Sequence, residues 1–288
     1  MIYRRRASPL HAARPAAGIV WCAGLAIAAL VESNPIVLGA LLLALLAGGV
    51  AARVGRELRR TLWLVVPLAL SVLVINALVT RDGLTVIWRF GNLPILGQTD
   101  VTLEATVYGG VLGLRAADLI LCGVLYSACV DPDQVLGLLR RWSFRSALTA
   151  TVATRMLPVL WRDSQRLAEA QRCRPGPPAG RLALMRATTA GVFDRALDVA
   201  ATLELRGYAA ARSGPRPARR PWSRHDLAFS LAGLAVCALA LAGRLAGIAR
   251  FTAYTWLHMS AGAGTLCLAA GTVAVALLPF ADRRGIEP

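Results

Sequence analysis

Ile36-Val-Leu-Gly-Ala-Leu-Leu-Leu-Ala-Leu-Leu-Ala-Gly-Gly-Val50 is a run without a single charged or hydrogen-bonding side chain. A helix on a soluble surface keeps one polar face, so a run that is apolar all round belongs in a bilayer or a deep core. Leu62–Val79 and Leu227–Leu241 repeat the pattern, in a chain of 288 residues that is 56% hydrophobic yet carries a formal net charge of +16. Soluble domains dilute their apolar residues over the sequence, whereas these come in blocks. The expected fold class is all-α, a polytopic membrane protein.

A helix needs about 20 apolar residues to span the hydrocarbon core. Six stretches approach that length, near 16–33, 35–52, 61–79, 104–130, 226–248 and 255–280. Between the first two lies only Ser33-Asn34-Pro35. Asn followed by Pro suits an N-cap and first helical residue, because proline lacks only a donor that would be unpaired there.

Basic residues resist translocation and mark the cytoplasmic side. They cluster before the first span (Arg4, Arg5, Arg6, Arg14), in Arg53-Val-Gly-Arg-Glu-Leu-Arg-Arg60, between Asp131 and His225, and at Arg283-Arg284. An inside N-terminus with six crossings puts all four regions in the cytoplasm. The expected organisation is a cytoplasmic N-terminus (1–15), four spans (16–130), a cytoplasmic segment (131–225), two spans (226–280) and a cytoplasmic C-terminus (281–288) in the plasma membrane. The basic start lacks a clear cleavage site after a short apolar core, so the first apolar segment is expected to be retained. Residues 81–102, with the turn-like Arg81-Asp82-Gly83 and the irregular Gly91-Asn92-Leu93-Pro94, read as an outer loop near the membrane surface.

In the fourth span, Gly109 and Gly113 have the spacing that lets a neighbouring helix approach closely. Arg115 and Asp118, three residues apart, are expected to pair across one helical turn. All 32 basic residues are arginine. That uniformity suits a GC-rich genome, so Arg abundance alone is not read as phosphate recognition. Cys22, Cys122, Cys129, Cys173, Cys237 and Cys267 contain no CxxC pair and read as small hydrophobes. With only His11, His225 and His258 beside them, no metal or cofactor site is expected.

Between Asp131 and His225 the pattern turns amphipathic. Asp131-Pro132-Asp133 opens a short helix over Gln134–Arg141. Ser146 to Arg172 reads as a long helix with Leu157, Leu160, Ser164, Leu167 and Ala168 on one stripe, kinked or divided at Pro158. It stops at Cys173-Arg174-Pro175-Gly176-Pro177-Pro178. A second amphipathic helix, Arg181 to Arg206, places Val192, Ala196, Val199 and Leu203 on one side and Asp194, Arg195 and Asp198 elsewhere. Gly207 suits the left-handed residue that closes a helix. Both helices thus end with an arginine beside a helix breaker, a charged fork able to grip a carboxylate on a partner as well as to face its own helix dipole.

These residues resemble the transmembrane T-component of energy-coupling factor (ECF) transporters, the EcfT/CbiQ family. The resemblance runs through Asn34-Pro35, Ile75-Asn76, Val101-Thr-Leu-Glu104, Leu112-Gly-Leu-Arg115 and Asp131-Pro-Asp133. It is densest over Ala153-Thr-Arg-Met-Leu-Pro158, Ala168-Glu-Ala-Gln-Arg172 and Leu203-Glu-Leu-Arg-Gly-Tyr208. The family ends two cytoplasmic coupling helices in short motifs, commonly Ala-Arg-Gly, whose arginines engage a pair of ATP-binding cassette ATPases. Carried over, the motifs fall on Cys173-Arg174-Pro175 and Leu205-Arg206-Gly207. The first keeps only the arginine, and Arg172 stands as an alternative to Arg174 for the contact. The resemblance implies a non-catalytic subunit that passes ATPase motion to a separate membrane S-component, which binds a vitamin or transition-metal ion.

The chain has no glycine-rich phosphate loop ending in Lys, since it contains no Lys. Three rivals remain. A conventional ABC importer permease would line its own pathway. A membrane-anchored nucleic-acid binder would use Arg212–Arg224, but that linker has one aromatic residue on which to stack bases and better suits anionic lipid, at about 1 kcal/mol per arginine. No nucleophile–base constellation supports an enzyme.

Overall fold

The computed structural model describes residues 6–80, 85–93, 97–139, 144–173, 175, 180–207, 221–252 and 258–282. It divides into two compact units, one built from Met1–Pro132 with Pro221–Pro288 and the other from Asp133–Arg220.

The first unit is a bundle of apolar helices: α2 (Pro15–Val31), α3 (Pro35–Ala51), α4 (Gly55–Val79), α5 (Leu103–Cys129), α9 (Arg224–Leu245) and α10 (Ala263–Leu277), the last extended by a 3-10 turn to Phe280. A four-residue helix, α1 (Pro9–Ala12), precedes them. Four of these are long and apolar enough to cross a membrane: α4, α5, α9 and the stretch Ala263–Phe280. The apolar α2 and α3 are 17 residues each, about 26 Å along the axis against a hydrocarbon core of about 30 Å. Large side chains stand fully outward, Trp63 at 81% and Leu64 at 75% exposure among them. A surface of that kind is stable against lipid and not against water, and the chain is a multi-pass membrane protein.

Lipid is as apolar as leucine, so these helices are held by close packing rather than by the hydrophobic effect. Helix α2 packs on α9, α3 on α10, and α4 on α5. A Cβ on Gly24 would lie 2.1 Å from the carbonyl oxygen of Gly233, and one on Gly233 would lie 2.6 Å from the Cα of Trp21, so α2 and α9 meet backbone to backbone. Gly109 and Gly113 do the same for α5 against α4, where added Cβ atoms would meet Leu73 Cα at 3.0 Å and Ala69 O at 2.8 Å. That is the close approach their spacing predicts. Beside the Gly24 contact, Trp21, Phe229 and Phe280 stack edge to face with centroids 5.1–5.9 Å apart. The indole N–H of Trp21 donates to Ala276 O at 3.3 Å.

The cap expected at Asn34 forms, its Oδ1 accepting the Ile36 N–H at 2.9 Å, while its Nδ2 donates to Ser260 O at 2.9 Å. The expected Arg115–Asp118 pair does not form. Arg115 reaches instead to the end of α2, donating to Ala29 O (3.1 Å), Glu32 O (2.7 Å) and Ser33 Oγ (3.3 Å). Arg244 of α9 donates to Val31 O at 3.0 Å. The last carbonyls of a helix have no intrahelical donors and carry its negative pole, and the fold brings the end of α2 within reach of the Arg115 guanidinium. Asp118 is left fully buried, with no hydrogen-bond partner among the described residues.

At the other end of the bundle, residues 6–14 fold back onto it. Arg6 bonds the Glu57 carboxylate and the Arg53 carbonyl, and Arg14 pairs with Asp226 (3.5 Å) while its backbone N–H donates to the same carboxylate at 2.6 Å. Asp226 also completes a capping box with Ser223 at the start of α9. His11 of α1 is buried there, and burial holds its imidazole below the ordinary histidine pKa.

Two departures from expectation concern connections. Residues 85–102 include an antiparallel hairpin, β1 (Val86–Leu93) with β2 (Gly97–Thr102), not an irregular loop. Its β-branched and aromatic residues favour strand, and register shifts at Val86/Trp88 and Arg89/Asn92 hide the alternation. Arg81-Asp82-Gly83 lies outside the described residues. The last helix begins at Ala263 rather than 255, after a two-residue pairing of β3 (Phe251–Thr252) with β4 (His258–Met259). All six cysteines are free, three of them buried, and Cys122 Sγ donates to Cys22 O at 3.0 Å.

Candidate functional site

The second unit is built on α6 (Pro132–Leu139), α7 (Phe144–Arg172) and α8 (Arg181–Leu205). Helix α7 runs unbroken through Pro158. On α7 the half-buried residues recur at helical spacing: Met156, Leu160, Ser164, Leu167 and Ala168. Leu157, expected on that stripe, is 65% exposed, because its neighbour Met156 occupies the inward position. On α8 the half-buried stripe is Thr188, Val192, Arg195, Val199 and Leu203. The sequence pattern puts Ala196 there and Arg195 elsewhere, and the two exchange places. The reason is Asp163 on the stripe of α7, whose carboxylate the Arg195 guanidinium bonds. That contact, reinforced by Arg166 and Arg162, holds the Asp163 carboxyl below the usual carboxylate range. Sequence reasoning misses the pair by ranking positions on hydrophobicity alone.

The ends of the two helices differ from their middles. At α7 the Cys173 N–H closes a last turn on Glu169 O at 3.2 Å, and Arg172, Cys173 and Pro175 are exposed. Arg174 lies outside the described residues. At α8 the Arg206 N–H bonds Thr202 O at 3.2 Å and the Gly207 N–H bonds Glu204 O at 2.8 Å. Gly207 has φ +71°, the left-handed closing residue the sequence predicts. This ending stops the helix sharply and leaves Leu205 89% exposed with Arg206 exposed beside it. Among the described residues no side-chain hydrogen bond or ion pair engages Arg172 or Arg206. An unengaged guanidinium beside an exposed leucine offers both a charged fork and an apolar contact to a partner protein. Among the described residues no group of three or more His, Cys, Asp or Glu side chains is placed to hold a metal ion.

The family model described as CbiQ, cobalt transport protein, matches residues 6–216, which span α1 to the end of α8 and beyond. No curated protein matches the chain. The match covers well over half of the 288 residues and takes in the first four apolar helices of the bundle, α2 to α5, and the unit that carries Arg172 and Arg206, so the chain belongs to the CbiQ family of cobalt transport proteins.

Proposed function

We propose that the chain is the transmembrane coupling (T) component of an ECF-type ABC importer. In this reading residues 131–225 and both termini lie in the cytoplasm, and the ends of α7 and α8 dock on two ABC ATPase subunits, as a homo- or heterodimer. Closure of the ATPases on ATP moves α7 and α8 as levers, and the bundle passes that motion to a membrane S-component that holds a vitamin or a transition-metal ion. The chain itself does no chemistry. The observation that carries the reading is the pair of helix ends, each presenting an exposed arginine (Arg172 on one, Arg206 on the other) beside a helix-stopping residue, with Arg174 the next arginine in sequence at the first. Cys173, Pro175, Leu205 and Gly207 shape the two ends. An always-charged fork at the tip of a rigid helix suits a groove lined by carboxylates.

Truncating a desolvated charge contact costs roughly 2–5 kcal/mol, and 1.4 kcal/mol is tenfold in affinity. The variant Arg172→Ala/Arg174→Ala/Arg206→Ala is therefore expected to lose co-purifying ATPases and ATP-driven uptake while keeping its place in the membrane. Full co-purification and full uptake would overturn the reading. Separate variants at Arg172 and Arg174 identify which of them makes the first contact.

A further inference from the structure

The ion pair between α7 and α8 sits where adhesion alone would favour two leucines. Asp163 lies mid-stripe on α7 with Leu160 and Leu167 a turn to either side, and Arg195 lies mid-stripe on α8 between Val192 and Val199. Both partners are about a third exposed, and an ion pair so placed adds little to stability. What it supplies is direction. Apolar stripes slide and rotate over one another, whereas a guanidinium bonded to a carboxylate fixes register and angle.

Position along the helices gives that fixed point a use. Arg206 is eleven residues beyond Arg195, and Arg174 is eleven residues beyond Asp163, with Arg172 nine beyond. At 1.5 Å per residue the described arms reach about 14 Å to Arg172 and about 16 Å to Arg206. We infer that the Asp163–Arg195 pair is the pin at which α7 and α8 are locked together, so that it sets the separation of the two arginine-bearing ends. Both are then positioning residues for the ATPase contacts, an inference that rests on the coupling reading above. On arms of this length, a change of about 10° in the angle between the helices moves a tip by about 3 Å, roughly the length of a hydrogen bond. One arginine then leaves its groove while the other stays.

The test uses the full chain in lipid nanodiscs, spin-labelled at Cys173 and at Leu205→Cys, with Cys237 and Cys267 replaced by alanine. The distance distribution between the labels is expected to shift by several ångströms and broaden in Asp163→Arg and in Arg195→Asp, and to return in the combined swap. The swap keeps the composition of the protein, and the neutral pair Asp163→Asn/Arg195→Gln, expected to broaden, covers the case in which a single reversal fails to fold. An unchanged distribution in the reversals or the neutral pair overturns the pin, as does a swap that fails to restore it. ATP-driven uptake by whole cells, with Cys173 and Leu205 unlabelled and unchanged, should fall in the reversals and recover in the swap. Distances that move with uptake unchanged overturn the positioning role. The coupling reading falls only if the arginine-to-alanine variants keep their ATPases, so the two failures are distinguishable.

Discussion

Adding one methyl group at Gly233 is expected to do more harm to this bundle than most larger changes elsewhere. In a helix interior alanine is favoured over glycine by about 1 kcal/mol, so the change would stabilise wherever there is room. At Gly39 and Gly123 nothing lies within 4 Å of an added Cβ, and Gly39→Ala and Gly123→Ala should be neutral or slightly stabilising. At Gly233 the new Cβ would stand 2.6 Å from Trp21 Cα and Val20 O, and at Gly24 it would stand 2.1 Å from Gly233 O. Those neighbours are backbone and cannot rotate away, so α2 and α9 must part by about 1 Å or more to restore van der Waals contact. Overpacking of this kind costs about 1–3 kcal/mol. Loosening the edge-to-face contacts of Trp21 with Phe229 and Phe280 forfeits about 0.5–1 kcal/mol each. Set against the helix-propensity gain, the net loss is about 1–4 kcal/mol, or a fall in Tm of several degrees at about 2–4 °C per kcal/mol for a chain near this size. Thermal unfolding in detergent, followed by the loss of helical circular dichroism, reads this. If Gly24→Ala and Gly233→Ala match Gly39→Ala in Tm, the backbone-to-backbone contact does not exist as described.

Arg115→Leu removes donors to Ala29 O, Glu32 O and Ser33 Oγ and leaves the end of α2 unsatisfied in an apolar setting, at a cost of about 2–4 kcal/mol. Arg115→Lys should recover only part of it, since a point charge cannot reproduce the fork; equal Tm values for Lys and wild type would contradict this. His11 supplies a pH dependence. Burial lowers its pKa in the folded chain below the ordinary 6.5, so as pH falls through 6.5 the unfolded chain takes up the proton first and stability drops, levelling off below the folded value. Wild-type Tm should therefore fall more steeply than that of His11→Gln between pH 7 and pH 5, and parallel curves would refute the assignment.

Features that depend only on near neighbours along the chain are legible in the sequence. Asn34-Pro35 caps α3 because capping is settled within three residues, and Gly207 closes α8 because only a few residue types tolerate the left-handed conformation. Gly109 and Gly113 announce a close approach, though not that α4 makes it. Gly24 and Gly233 give no signal, since each is one small residue in an apolar run and their partnership exists only across α2 and α9. The Arg115–Asp118 pairing fails for a related reason: spacing shows which side chains share a face, and it is blind to a helix end brought alongside by the fold. Arg195 is misplaced because a stripe drawn by hydrophobicity has no place for a charge whose partner, Asp163, is on another helix.

Helices α2 and α3, 17 residues each, and α10, 15 residues before its 3-10 turn, are shorter than α4 with 25 and α5 with 27, so the helices of the bundle are uneven in length. Arg115 reaches the end of α2 from twelve residues inside α5, about 18 Å along its axis. A bilayer of near-constant thickness meets short helices by thinning locally, by side chains that reach up to the interface or by packing against a neighbour, at fractions of a kcal/mol per ångström of mismatch. That deformation is a force in its own right. Where a bilayer thins, neighbours with equally short spans share the cost, so mismatch adds a lipid-borne preference to whatever direct contacts a neighbour makes.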